Sequence, residues 1–254
     1  MKLAAWNVNS LNVRLPQVLD WLKTHQPDVL CLQELKMEDA KFPLDAFDEI
    51  GYQAVFSGQK TYNGVAIISR ARPEDVSKDI GGYADHQKRV IAATIGGVRV
   101  VCVYIPNGQT VESEKYQYKL QWLAALQGYM RETINEFADV ALLGDYNIAP
   151  DDRDVYDPKA WEGQVLCSVP ERDAFRALVG LGLVDSFRLF DQPEKCFSWW
   201  DYRMNGFKRN LGLRIDHILL TSNLATRCNA STIDIAPRKQ ERPSDHAPVV
   251  ADIS

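Results

Sequence analysis

Apolar runs of strand length alternate along this chain with short polar breaks. Lys2 to Val8, Val29 to Leu32, Tyr52 to Ser57, Gly64 to Ser69, Val90 to Ile95, Val98 to Ile105, Val140 to Leu143, Gly212 to Leu220 and Val249 to Ile253 each predict a β-strand. Val29 to Leu32 and Val140 to Leu143 are apolar throughout, the mark of a buried strand. Other stretches carry apolar residues at helical spacing. Leu15, Val18, Leu19 and Leu22 predict a helix over Leu15 to His25 with Pro16 in its first turn, ended by Pro27-Asp28. Tyr118, Trp122, Leu126 and Tyr129 predict a longer one over Ser113 to Phe137. Ser168, with Glu171 three residues on, opens a third that runs to Val179 and stops at Gly180 or Gly182. Between Tyr52 and Ile105 strands follow one another without helices, separated by Asn63-Gly64 and Gly96-Gly97, which predicts hairpins and a mixed sheet. With no repeat, linker or low-complexity tract, residues 1–254 read as a single domain.

The polar residues at the ends of these runs carry the chemistry. Asn7, Glu34 and the pair Asp145 and Asn147 each close an apolar run, and ligands of open α/β sheets bind at the carboxyl ends of strands. Asp245-His246 lies between Pro243 and Pro248, which sets a carboxylate and an imidazole at one rigid corner. Asp216 falls inside a strand-like run, and a buried carboxylate needs a partner such as His246. Asn7, Glu34, Asp145, Asn147, Asp216, Asp245 and His246 together offer oxygen donors and one imidazole but no thiolate. That set suits Mg2+, with Mn2+ as substitute, rather than structural zinc, and points to phosphate-ester chemistry. In the scheme this predicts, Glu34 holds the metal at the scissile phosphate and leaving oxygen while Asp145 takes a proton from an attacking water. Asn147 orients that water, and His246, held by Asp216, donates to a non-bridging oxygen with help from Tyr104.

Other candidates admit two uses. Tyr104 and Asn107, in Tyr-Ile-Pro-Asn-Gly, reach a phosphate or finish a sheet edge, and Lys115 and Lys119 meet phosphate or solvate a helix. Trp199 and Trp200, near Arg203, Lys208, Arg209 and Arg214, anchor a core or stack against a nucleotide. Asp151, Asp152, Asp154 and Asp157 lack the spacing of a calcium loop and are loop and cap residues.

Composition narrows the class. With 46% hydrophobic and 25% charged residues the chain is an ordinary globular protein. A net charge of -5 excludes coating nucleic acid by bulk electrostatics but not a nucleic-acid enzyme whose negative charge gathers at a metal. The 5 scattered cysteines read as reduced. Met1 to Asn7 has no signal-peptide core and no apolar run reaches the roughly 18 residues of a membrane span, so a cytoplasmic protein is expected.

The motifs occur in a particular order: Trp6-Asn7-Val8-Asn9-Ser10, Gln33-Glu34-Leu35-Lys36, Tyr62-Asn63-Gly64-Val65-Ala66, Tyr104-Ile105-Pro106-Asn107-Gly108, Gly144-Asp145-Tyr146-Asn147-Ile148-Ala149, Gly212-Leu213-Arg214-Ile215-Asp216 and Ser244-Asp245-His246-Ala247-Pro248. Over essentially its full length the chain resembles the exonuclease III and apurinic/apyrimidinic endonuclease family, within the DNase I-like phosphoesterases. The resemblance implies a four-layer α/β sandwich, two packed mixed β-sheets flanked by helices. It also implies a monomeric DNA repair enzyme acting on double-stranded DNA with damaged or recessed 3′ ends or abasic sites. By position, Asn7, Glu34 and Asp245 match metal-site residues, with Asp145 and Asn147 beside the attacking water and sometimes counted as ligands. Asp216 and His246 match the Asp-His pair and Tyr104 the phosphate-contacting tyrosine. Arg89 and Asn107 match DNA contacts, and Trp199 with Trp200 the aromatic wall of the abasic-sugar pocket. Leu166 and Cys167 depart from relatives that carry asparagines where the flipped abasic site is met. Two rivals share the fold: a phosphoinositide or sphingomyelin-type phosphoesterase, and an inactive regulator like the catabolite repression control protein. Against the first stand Leu213 to Asp216 and Ser198 to Arg203; against the second stand the retained Glu34, Asp145, Asp216, Asp245 and His246.

Overall fold

The computed structural model describes all 254 residues. In chain order the strands are β1 (Lys2–Asn7), β2 (Val29–Gln33), β3 (Gln53–Ser57), β4 (Val65–Ser69), β5 (Glu74–Ser77), β6 (Val90–Ile95) and β7 (Val98–Tyr104). They continue with β8 (Val140–Asp145), β9 (Leu183–Asp185), β10 (Trp199–Trp200), β11 (Gly212–Leu213), β12 (Asp216–Thr221), β13 (Cys228–Ile233) and β14 (Val249–Ile253). The helices are α1 (Leu11–His25), α2 (Leu44–Asp48), α3 (Glu114–Glu136), α4 (Pro158–Trp161), α5 (Val169–Val179) and α6 (Ser222–Ala225).

Two six-stranded sheets form, ordered β13-β14-β1-β2-β4-β3 and β5-β6-β7-β8-β12-β9, with β10-β11 as a separate ribbon. Only β1 with β2 and β7 with β8 run parallel, joined through α1 and α3, so both sheets are mixed. The alternation of side chains along each strand explains why these runs are apolar on both faces. In β1, Leu3 and Ala5 point between the sheets with Cys31 and Ile67, against Val100, Cys102, Leu143 and Ile218 of the other sheet. Ala4 and Trp6 point the other way, onto Val18, Trp21 and Leu22 of α1. Val101, Val103 and Leu142 meet Trp122, Leu126 and Met130 of α3 and Phe175 and Leu178 of α5. The result is the expected four layers, helix, sheet, sheet, helix.

Some expectations give way. α1 begins at Leu11, not Leu15, so Pro16 lies inside the helix instead of its first turn. The strand expected from Gly212 to Leu220 is broken: β11 pairs with β10, β12 joins the second sheet, and the amides of Ile215 and Asp216 both donate to Ser198 Oγ at 3.0 Å. β5 and β13 lack a continuous apolar run and are held by their neighbours β6 and β14. Asp151 and Asp157 do cap short helices, whereas Asp154 is buried and ion-paired with Arg188 and Arg214. All five cysteines are free, and no helix is long and apolar enough to cross a membrane.

Candidate active site

Parallel pairing of β1 with β2 and of β7 with β8 sends four carboxyl ends toward one edge of the sandwich. Asn7 stands opposite Gln33, Tyr104 opposite Asp145, and the antiparallel β12 begins there with Asp216 opposite Asp145. Gly144 makes the last step of β8 possible: at φ 145 a Cβ would sit 1.9 Å from the Val103 carbonyl oxygen, so no side chain fits. Beyond the strands the chain turns through left-handed residues, Glu34 at φ 55 and Asn147 at φ 49, a costly conformation held by the surrounding bonds.

The hydrogen bonds determine which way each group faces. The Asn9 amide donates to Asn7 Oδ1 at 2.9 Å, which turns the Asn7 amide nitrogen toward Glu34 Oε1 and Asp145 Oδ2, each at 2.9 Å. Tyr104 donates its hydroxyl to Glu34 Oε1 at 3.0 Å, and Lys36 pairs with Glu34 Oε2 at 2.9 Å. His246 Nδ1 donates to the Asp216 carboxylate at 2.9 Å, while Nε2 stands 3.7 Å from Asp145 Oδ2. Ser244 Oγ donates to the Asn7 carbonyl at 2.6 Å and accepts the His246 amide, tying the Asp245-His246 corner to β1. Asp245 accepts from Asn9 at 2.9 Å and from the Trp199 indole at 3.0 Å. Asn147 accepts from Asn107 at 3.0 Å and donates to the Ile105 carbonyl at 3.0 Å. These groups border a cleft of about 310 Å³ walled by Trp161, Val165, Leu166, Trp199 and Ile215, with Arg203 at its mouth.

Burial and mutual repulsion set the proton affinities. Burial pushes the Asp145 carboxyl up to about 7, with Asp216 adding to the rise and His246 opposing it. For His246, burial disfavours the charge, but Asp216 and then Asp145 outweigh it and lift the imidazole to about 10. Burial followed by Glu34 and Asp145 holds the Tyr104 phenol well above its usual value. Asp245 lies below the carboxylate range because His246, Asn9 and Trp199 outweigh its burial. At neutral pH the corner therefore holds an imidazolium, a protonated phenol and a carboxyl near its midpoint.

Ligand atoms of Glu34, Asp145 and His246 lie within 4.8 Å of one another, close enough to hold a metal ion. A charged imidazole bonded to Asp216 does not ligate, which leaves two carboxylates, hard oxygen donors of the kind that bind magnesium with several waters retained. Asn7 and Asn147, expected among the ligands, both bond these carboxylates: Asn7 Nδ2 donates to Glu34 and Asp145, and the Asn147 backbone amide donates to Asp145, while each side-chain oxygen accepts one bond, from Asn9 and Asn107. Asp245 stands outside the triad.

Four residues expected to contact DNA do not line the cleft. Lys119 is fully buried, paired with Glu171, and unavailable to any phosphate. Trp200 is buried with its indole on Asn210, so Trp199 alone of the pair faces the cleft. Arg89 is buried behind Tyr104, stacked 4.7 Å from its ring and bonded to the Tyr104 carbonyl and Gln87. Lys115 is exposed on the first turn of α3 and does not line the cleft. Asn9, Lys36 and Ser244 lie inside the motifs of Asn7, Glu34 and Asp245 and join the site through contacts to Asp245, Glu34 and Asn7 that only the fold creates.

The model of the Endonuclease/Exonuclease/phosphatase family matches residues 4–246. Exodeoxyribonuclease III of Haemophilus influenzae is 37% identical over 99% of both chains. Among solved structures, the 3′ phosphatase NExo from Neisseria bound to a product DNA hairpin superposes with a TM-score of 0.99 at 49% identity, covering 100% of this chain and 99% of that one. An AP endonuclease from Archaeoglobus fulgidus follows at 0.96 and 43% identity, with 100% and 99% covered. The chain therefore belongs to the Endonuclease/Exonuclease/phosphatase family, among the nucleases of its exonuclease III and AP endonuclease branch.

Proposed function

We propose that this protein hydrolyses phosphate esters of double-stranded DNA at recessed or blocked 3′ ends and beside abasic sites, with magnesium as its metal and manganese as a substitute. The observation that carries this assignment is the buried run Asp216–His246–Asp145 beside Glu34 in one cleft. Glu34, with Asp145 beside it, would hold the metal, which when bound would supply positive charge to the scissile phosphate and the leaving oxygen. Asp145, with an affinity near 7, is matched to accept a proton from water at neutral pH, and Asn147, braced by Asn107, orients that water. His246, held by Asp216, presents Nε2–H to a non-bridging oxygen, where an imidazolium stabilises developing charge. Tyr104 keeps its proton and donates from the Glu34 side. The relatives named for 3′ phosphatase and AP endonuclease action support both substrate classes.

The test is a magnesium assay comparing a duplex with an internal abasic analogue, a recessed 3′ end and a 3′-phosphate. EDTA should abolish turnover on whichever is cleaved and magnesium should restore it. Cleavage that persists in EDTA, or no cleavage of any of the three with magnesium, overturns the assignment.

A further inference from the structure

Three successive peptide carbonyls after Asp145 and Tyr146 are each held by a side chain from a different element. Lys119 of α3 donates to the Asn147 carbonyl at 2.6 Å, and His217 of β12 bonds the Ile148 carbonyl through Nε2 at 2.9 Å. Arg172 of α5 donates to the Ala149 carbonyl at 3.1 Å. Arg214 approaches His217 Nδ1 at 3.0 Å, and because a guanidinium only donates, Nδ1 accepts and the ring proton sits on Nε2. Lys119 has no exposed surface, and its three ammonium protons match three acceptors: the carbonyls of Asn147 and Asn107 and the carboxylate of Glu171. Glu171 in turn accepts the amide of Leu166, the cleft-wall residue held at φ 75.

Burying an ammonium and a carboxylate is expensive unless every donor and acceptor is met, and an open connecting loop needs neither. Here the ammonium bonds the turn that carries Asp145 and Asn147 directly, and the carboxylate of Glu171 holds that ammonium in place while bracing Leu166 and Ser168. We infer that Lys119 and His217 are positioning residues, which hold the Asp145–Asn147 turn in the left-handed form that attack requires without touching substrate themselves. The inference rests on the assignment of Asp145 and Asn147 to the hydrolytic step.

The test measures kcat and KM of the magnesium-loaded enzyme on a recessed 3′ end for Lys119→Met, Lys119→Met with Glu171→Gln, His217→Leu and His217→Gln, with thermal melting as the check of folding. The double variant removes the unpaired buried carboxylate that Lys119→Met leaves behind. Its kcat and that of His217→Leu should fall roughly 30-fold with KM changed less than about 3-fold, since small displacements of reacting groups are felt in the chemical step. His217→Gln, whose amide can replace the Nε2 donor, should retain kcat within about 3-fold. In an Asn147→Ala background, followed in single turnovers, the Lys119 changes should add less than about 10-fold instead of roughly 30-fold, because the share of their effect carried by the Asn147 side chain is gone while that carried by Asp145 remains. A merely structural role would lower the melting temperature and leave kcat alone. Full kcat in a folded His217→Leu protein, or full additivity with Asn147→Ala, overturns the inference; if the Lys119 variants do not fold, the two His217 variants decide. Absence of any cleavage by the wild type would instead count against the proposed function.

Discussion

Two buried clusters of charge meet at β12 and differ in their balance. Around Arg214, Asp154 accepts from both Arg214 and Arg188, and Asp185 lies 2.8 Å from Arg214, so two carboxylates face two guanidiniums. Burial would raise Asp185, but Arg214 and His217 outweigh it and hold the carboxyl low; Arg214 is raised because Asp185 and Asp154 outweigh its burial. At the cleft, Glu34, Asp145, Asp216 and Asp245 share His246 and Lys36, and burial, which His246 does not outweigh and to which Asp216 adds, raises the Asp145 carboxyl to about 7. Burial is common to both clusters, so burial alone does not mark a reactive site. What separates a rivet from a reaction centre is whether opposite charges are matched.

Breaking each cluster should have opposite signatures. Asp145→Asn or His246→Asn should lower turnover by about 1,000-fold, the scale of a lost general base or acid, while DNA affinity stays within a few-fold. Single-turnover rates and a binding titration check this; near-normal turnover in either variant sinks the scheme. Arg214→Met should instead destabilise the fold by about 3–5 kcal/mol by stranding Asp185 and leaving Asp154 with Arg188 alone, as read from the urea midpoint, whereas Asp216→Asn should change stability less and activity more.

The difference in titration sharpens the comparison. Turnover should rise with pH as Asp145 loses its proton, below its metal-free value of about 7 once the cation's charge is beside it, and fall as His246 loses its own, below about 10 for the same reason. In EDTA, the folded Asp145 carboxyl binds its proton more tightly than the unfolded one, so its contribution to stability declines as pH rises from 3.8 to about 7. His246 is also raised by folding, from 6.5 to about 10, so its stabilisation is complete below 6.5 and lost through about 10. Urea melts across pH should lose the lower decline in Asp145→Asn. The smallest effect belongs to the rim: Arg203→Ala should raise KM about 2- to 5-fold and flatten its salt dependence by about one phosphate contact, while Lys115→Ala leaves both unchanged.

Much of the site could be inferred from local rules. Asn7, Glu34 and Asp145 end apolar runs, and the prolines around Asp245-His246 announce a rigid corner, so their convergence follows once the parallel pairs are formed. Lys119 reads as solvated or phosphate-facing because lysines usually are, although it lies three residues from both Tyr116 and Trp122, the buried face of α3. Trp199 and Trp200 could not be told apart, since alternation along a two-residue strand has no sequence signature. The break at Arg214-Ile215 depends on Ser198, distant in sequence, and the left-handed Leu166 depends on Glu171 and Ala149.

The pairing of β1 with β14 as well as with β2 gives the proton donor a fragile tether. Ser244 reaches back across 237 residues to the Asn7 carbonyl, and β14 must be docked on β1 for that corner to close. Fraying of β14 alone would therefore carry the imidazole away from Glu34 and Asp145 and silence cleavage while the rest of both sheets stays paired.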